Sequence, residues 1–412
     1  MTRRTWSRSY SRLFPVLPVF LLFLCLIHTE SASADKFNVY WGGVGFTGTW
    51  VDRDQLYPFS SRLLCNPQND CKAWGGNIDE MARDRLASKN FDNIHIDLNM
   101  IEDEVEGIIM AVGITSEILG VTKDIVNKRE TFQHVFRIFG SLMFYEFYSG
   151  KMIKSVPIII RYTTHLDAPA NDNEKFDIIK NILGSDSLGI NFFDIMYQQT
   201  KSVNLAILPS KYTQITEIIL SENVSDIMTK RLKLNNFKMQ VAQIMEAEFV
   251  ARADGPLIPS AIGLIPSATG RNVIEGKIKA TFSDAERELT LPEATFNIGL
   301  DVRLFKKFEK IKGPQKTVCH AVAVTLRLAD EMDEFTNVKF SRVKDSCGIA
   351  SVDQVFDPTF YFPETLFTLI QNITKQFSKS GPNKDWLATH ARKTPDAMGQ
   401  IIRGRKTAFE VW

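Results

Sequence analysis

The chain of 412 residues carries 49 basic and 48 acidic side chains, a formal charge of +1. That balance excludes a whole-molecule field drawing it to nucleic acid, and leaves any binding of an anionic surface to a local patch. At 44% hydrophobic and 24% charged, with 29 phenylalanines, it has the apolar side chains for a sizeable core, which excludes a disordered chain.

Met1 to Arg12 holds four arginines and no acid, Leu13 to Ile27 is apolar, and Ala32-Ser33-Ala34 supplies small residues. These are the three parts of a secretory signal peptide, and they predict segment 1–34 as cleaved, leaving 378 residues (412 minus 34). The apolar run is shorter than the roughly 20 residues of a span and is broken by Pro15 and Pro18, so no transmembrane anchor is expected after cleavage. Cys25 follows Phe23 and Leu24, not the small residues that precede a lipid-modified cysteine. The expected location is periplasmic or secreted, where the four later cysteines can oxidise. Their spacing predicts two local bridges, Cys65 to Cys71 and Cys319 to Cys347, and contains no clustered Cys or His set for a structural metal.

Beyond Ala34 the pattern predicts an α+β fold: two units of antiparallel sheet with helices packed on one face, at 35–205 and 237–378. Between them lies a helical connector, 206–236, and after them a basic extended tail, 379–412. Phe37, Val39 and Trp41 alternate as a strand that runs into glycines. Ile94 to Leu98 alternates again, and Ile108 to Leu119 is a β-rich run. Phe132 to Tyr148 and Lys151 to Thr164 form an aromatic-rich hairpin turned at Ser149-Gly150, closed by a helix from Asn173. Ile215, Ile218 and Ile219 recur at helical spacing, which predicts a helix over 210–220, while 237–250 fits strand and helix alike. Phe296 to Leu304 and Val318 to Leu328 alternate strictly as strands, and a helix follows from Pro363 to Phe377.

Long strand, hairpin-like pair and helix thus occur in the same order twice. The long strand's start precedes the helix's start by 65 residues in the first half and 67 in the second, which raises the expectation of an internal duplication.

Gly43-Val44-Gly45-Phe46-Thr47-Gly48 has the spacing of a dinucleotide loop, but no amphipathic helix follows to meet a phosphate, so the glycines read as a turn or bulge and no cofactor is expected. His95-Ile96-Asp97 and His165-Leu166-Asp167 each place imidazole and carboxylate on one strand face. Together they are the candidate ligands of a metal site or general base. His134 and His320 sit among apolar residues of their strands, as core histidines or as a pair between the two halves.

With no nucleophile motif evident, the expected function is that of an exported, non-enzymatic envelope or secreted protein. It would bind a protein partner, as an accessory factor in assembly or secretion, and no nucleic acid. The aromatic residues Phe144, Tyr145, Phe147 and Tyr148 are the expected contact. The alternatives are an exported hydrolase or metal-dependent enzyme using the two His-x-Asp pairs, and a small-molecule or lipid carrier, which would need a large apolar cavity.

Overall fold

The computed structural model describes residues 36–47, 50, 53–65, 77–98, 107–126, 129–201, 203, 205, 211–230, 233–253, 257–260, 277–282, 286–343, 347–352 and 357–409. The expected signal segment, Cys25 and Cys71 lie outside them.

Alternation at Phe37–Thr47 makes strand β1, which buries Val39, Trp41, Val44 and Phe46. Spacing between Trp41 and Val44 breaks the two-residue period, and the strand bulges there: β1 slips register against β3 (Ile108–Val126) between those residues, with Gly43 at φ +92°. Strands β3, β4 (Arg129–Glu146) and β5 (Met152–Leu166) form an antiparallel meander. Beside it β1 runs parallel to β3, and β2 (Ile94–Asp97) runs parallel to β1. After the one-turn helix α1 (Arg53–Leu56) come α2 (Ile78–Leu86), α3 (Asp172–Gly184) and α4 (Phe192–Thr200). These helices share a core with the sheet through Ile78, Ile179, Ile182 and Phe192, among others. Helix α3 starts where Asn171 and Glu174 form a reciprocal capping box, which satisfies donors that the helix itself cannot.

The second sheet repeats that strand order. Strand β6 (Thr213–Leu220) lies parallel to β10 (Phe296–Lys312), and the two-residue β7 (Leu257–Ile258) lies parallel to β6. The meander continues through β11 (Gln315–Ala329) and β12 (Glu334–Arg342), while β13 (Cys347–Ser351) pairs with the first part of β11. In each sheet the first meander strand is bulged, at Ile114 to Ser116 and at Val302 to Leu304. Helix α5 (Glu222–Met228) is followed by α6 (Leu234–Ala253), and α7 (Pro358–Lys375) follows the meander. Helix α7 begins at Pro358 rather than Pro363, because Asp357 caps it by accepting from the Thr359 N–H at 2.9 Å. Its buried face, Phe362, Leu366, Leu369, Ile370 and Ile373, continues into Phe377, with roughly 1.5 to 3 kcal/mol available from each side chain so covered.

The α+β class stands, with mixed rather than purely antiparallel sheets. Several boundaries are corrected. Within segment 210–220, Thr213–Leu220 is strand β6, not helix: a bulge opposite Ile298 and Gly299 brings Ile215 and Ile218 to the same buried face, so an i, i+3 spacing arises in a strand. The expected connector 206–236 therefore contributes a strand, residues 213–220, to the second sheet. Segment 237–250 is helical, and its period is blurred because α6 buries opposite sides: Phe237, Val241, Met245 and Phe249 face one core, Met239 the other.

Nor are 35–205 and 237–378 separate units. Strands β8 (Lys277–Thr281) and β9 (Glu286–Thr290) cross back to extend the first sheet, β8 antiparallel to β1. Lys151 bridges Thr290, so the two edges of that sheet meet at one end around Ile109, Met143, Tyr145, Met152, Ile278 and Phe282. Phe37–Trp412 is accordingly one unit.

The tail 379–412 is not extended. It forms α8 (Lys384–His390) and α9 (Ala397–Ala408), which bury Leu387, Ile401 and Ala408, with Phe409 stacked on Phe249 at 5.2 Å. Its apolar residues are few but fall at helical spacing against β12.

Candidate docking surface

The two His-x-Asp pairs are not brought together. His95 in β2 lies level with Asn38 at the beginning of β1, which is beside Ile108 of β3. His165 lies opposite Gln133, which is opposite Thr122 of β3. Those levels are fourteen residues apart on β3, about 45 Å at 3.3 Å per residue, so no shared cleft or metal can use both. His95, His165 and Asp167 are exposed and Asp97 is half-buried. Among the described residues, no group of three or more His, Cys, Asp or Glu could hold a metal ion.

His134 and His320 are packing residues of their own meanders. His134 accepts the Ala170 N–H at Nε2 (3.3 Å), just before α3, and burial holds its pKa below the usual imidazole value. His320 stacks on Tyr361 of α7 at 5.0 Å, and burial, with Lys307 beside it, pushes its pKa down to about 4. Both rings thus abut the start of the helix that follows their meander.

The glycine run is the β1 bulge. There Asp79 of α2 accepts from the Val44 N–H (3.2 Å) and the Trp41 indole (3.0 Å), and pairs with Arg83 at 2.9 Å. A side chain at Gly45 would meet the Phe282 ring at 2.8 Å. This is a packed structural corner, with the Val44 backbone donor already taken by a carboxylate.

Two carboxylates escaped the sequence reading. Glu117 of β3 accepts from the Phe59 N–H (3.2 Å), the Ser60 N–H (2.5 Å) and the Ser60 hydroxyl, while burial pushes its pKa up to about 7. Glu246 of α6 accepts from the Ser260 N–H, and burial again lifts it to about 7. Their signal was an acid inside an apolar segment. Ser60 and Glu117 are both buried, so this hydroxyl and carboxylate are closed to a substrate. Glu246 lines a cavity of about 30 Å³ with Gln243, Ser141 and Met143, room for water but not for a lipid.

The hairpin expected to dock a partner is corrected in part. Phe144 and Tyr145 are 0% and 1% exposed, the latter enclosed where β8 and β9 close the first sheet. Phe147 is half-buried beneath Arg287, 6.0 Å from its ring, and Tyr148 is 64% exposed. Two of the four aromatic side chains cannot touch another molecule.

Exposed apolar surface lies instead on the second meander. Strand β10 runs seven residues, about 20 Å, past Phe305, its last buried residue. With β11 and β13 this end forms an arm, tied by a disulfide between the directly opposed Cys319 and Cys347. Cys65 is also disulfide-bonded. Phe308 is 43% exposed, Ile349 74% and Ile311 63%, with Leu304 also exposed. Alternation sorts the side chains: Leu304, Lys306, Phe308, Lys310 and Lys312 share the outer face with Cys319, Cys347 and Ile349, while Lys307 and Glu309 pair at 2.6 Å on the inner face with His320. Glycine 313 turns the arm at φ +60°.

No protein-family model and no curated protein matches the sequence. Among solved structures, the chain is similar to a minor lipoprotein from Acinetobacter baumannii, at 13% identity over 41% of this chain and 92% of that one, with a TM-score of 0.20. At that TM-score the likeness carries no argument about fold or function.

Proposed function

We propose that this chain is an exported, non-enzymatic protein that works by docking in the envelope or outside the cell, and that the stapled arm around Phe308 and Ile349 is its docking element. The observation that carries the reading is the arm: solvent-facing apolar side chains on one face of a cross-linked sheet end. The Cys319–Cys347 bond supports export, since such bonds persist in oxidising compartments. An accessory role in assembly or secretion fits a protein whose exposed apolar surface sits on a rigid arm.

The test is fractionation of the native host. Wild-type protein is expected to remain with the envelope fraction, and a Phe308→Ser, Ile349→Ser double variant to be released while keeping its far-UV circular dichroism. Equal retention of both would remove the arm from the docking role.

The shared strand order, with bulges at matching places and a buried histidine in the middle strand of each meander, supports the further reading that one half duplicates the other. A relative with one such half, aligning to both halves here, would establish it, and relatives whose halves never align to each other would remove it.

A further inference from the structure

We propose that the outer face of the arm seats on an anionic bilayer surface, with Phe308 and Ile349 entering the headgroup region and Lys306, Lys310 and Lys312 meeting lipid phosphates. The inference rests on the arm being the docking element, and names what it meets.

Charge sorting selects the occupant. Along β10 the lysines at 306, 310 and 312 point to one side, and the arm's described acid, Glu309, points to the other, where Lys307 neutralises it. The outer face is therefore cationic in a chain whose net charge is only +1. Lys306 lies over the Phe308 ring, with Nζ 5.0 Å from the centroid, so a positive charge sits directly against the apolar patch. Apolar side chains ringed by long cationic ones match the depth profile of a membrane interface, where hydrocarbon begins just below the phosphates.

The disulfide lies on this same face, between Phe308, which is paired with Cys319, and Ile349 two residues along from Cys347. It holds the two apolar contacts at a set spacing across three strands, which limits the ordering needed on contact.

The experiment is co-sedimentation of the purified, oxidised protein with vesicles of phosphatidylcholine alone or enriched in phosphatidylglycerol. Binding is expected only to the anionic vesicles, weakening as salt rises. Each lysine near such a surface contributes about fivefold, so Lys306→Gln, Lys310→Gln, Lys312→Gln together should lower the partition coefficient about a hundredfold with unchanged circular dichroism. Phe308→Ser, Ile349→Ser should weaken it as well. Equal binding to both vesicle types, no binding to either, or an undiminished triple-lysine variant would overturn the inference. If the vesicles fail while the apolar double variant is still released from the host envelope, the arm docks a protein instead. If that variant is also retained, the docking reading itself falls.

Discussion

Arg137 of β4 and Glu364 of α7, 227 residues apart in sequence, form an ion pair across the join of the two halves. Arg137 is buried and lies 5.2 Å from the Phe367 ring, and Arg161 reaches the second oxygen of the same carboxylate at 3.2 Å. Burial alone pulls the Arg137 guanidinium below its ordinary pKa, and Glu364 opposes that. Replacing Glu364 by Ala should therefore leave a buried cation without its counter-charge and cost about 3 to 5 kcal/mol of stability. Urea unfolding of E364A measures it, and the double variant Arg137→Met, Glu364→Leu should recover most of the loss.

Glu117 and Glu246 give stability an unusual pH dependence. Each holds its proton up to about pH 7 in the folded chain but, unfolded, releases it at the ordinary value near 4.5. Between those values the unfolded chain binds fewer protons, so the contribution of each is fully present below about 4.5 and is lost as pH rises through 7, by about 3 kcal/mol apiece. The variants E117Q and E246Q, which keep an acceptor for the Ser60 and Ser260 N–H groups, should gain on the wild type as pH goes from about 5 to about 8. Paired unfolding curves at the two ends check the sign.

Phe409 stacks on Phe249 and meets Phe377 edge-on at 5.9 Å, which makes the close of α9 part of the second core. Phe409→Ala should cost about 3 to 5 kcal/mol. Removing residues 379–412 should leave the Ile401 and Phe409 sites empty and yield an insoluble or unfolded product, read by solubility and circular dichroism. A soluble, folded truncation would restore the tail as an appendage.

The Cys319–Cys347 bond closes a loop with a sequence separation of 28. Loop entropy assigns about 3.5 kcal/mol to a bridge of that length. The Cys319→Ala, Cys347→Ala variant should unfold at correspondingly lower denaturant, and its amide exchange should rise first at β13, which is held to β11 beside the bond.

The strands were legible where the sequence marks them plainly: β10 and β11 by strict two-residue alternation, β4 and β5 by their runs of aromatic and β-branched residues. Legibility failed where geometry breaks the period. Thr216, at the register slip of β6, made a strand imitate a helix, and burial on both sides hid the amphipathic signature of α6. Residues Glu117, Glu246 and Asp79 look like surface acids until their partners, Ser60, Ser260 and Val44, arrive from distant segments. The arm was partly visible, since Lys306-Lys307-Phe308-Glu309-Lys310-Ile311-Lys312 sets apolar residues among charges. That Phe308 stays 43% exposed is a tertiary fact. Periodicity also says nothing about which sheet a hairpin joins, so the destination of β8 and β9 was out of reach.

That destination constrains the order of folding. Synthesis runs from the N-terminus, and the Phe46–Thr47 end of β1 pairs with Thr281 and Ala280, which emerge more than two hundred residues later. Until then the first sheet carries an unpaired rim beside an apolar interior, a state in which chains cross-associate. Burying Phe282 against Gly45 ends that exposure, so the first half cannot close until the segment carrying β8 has been made.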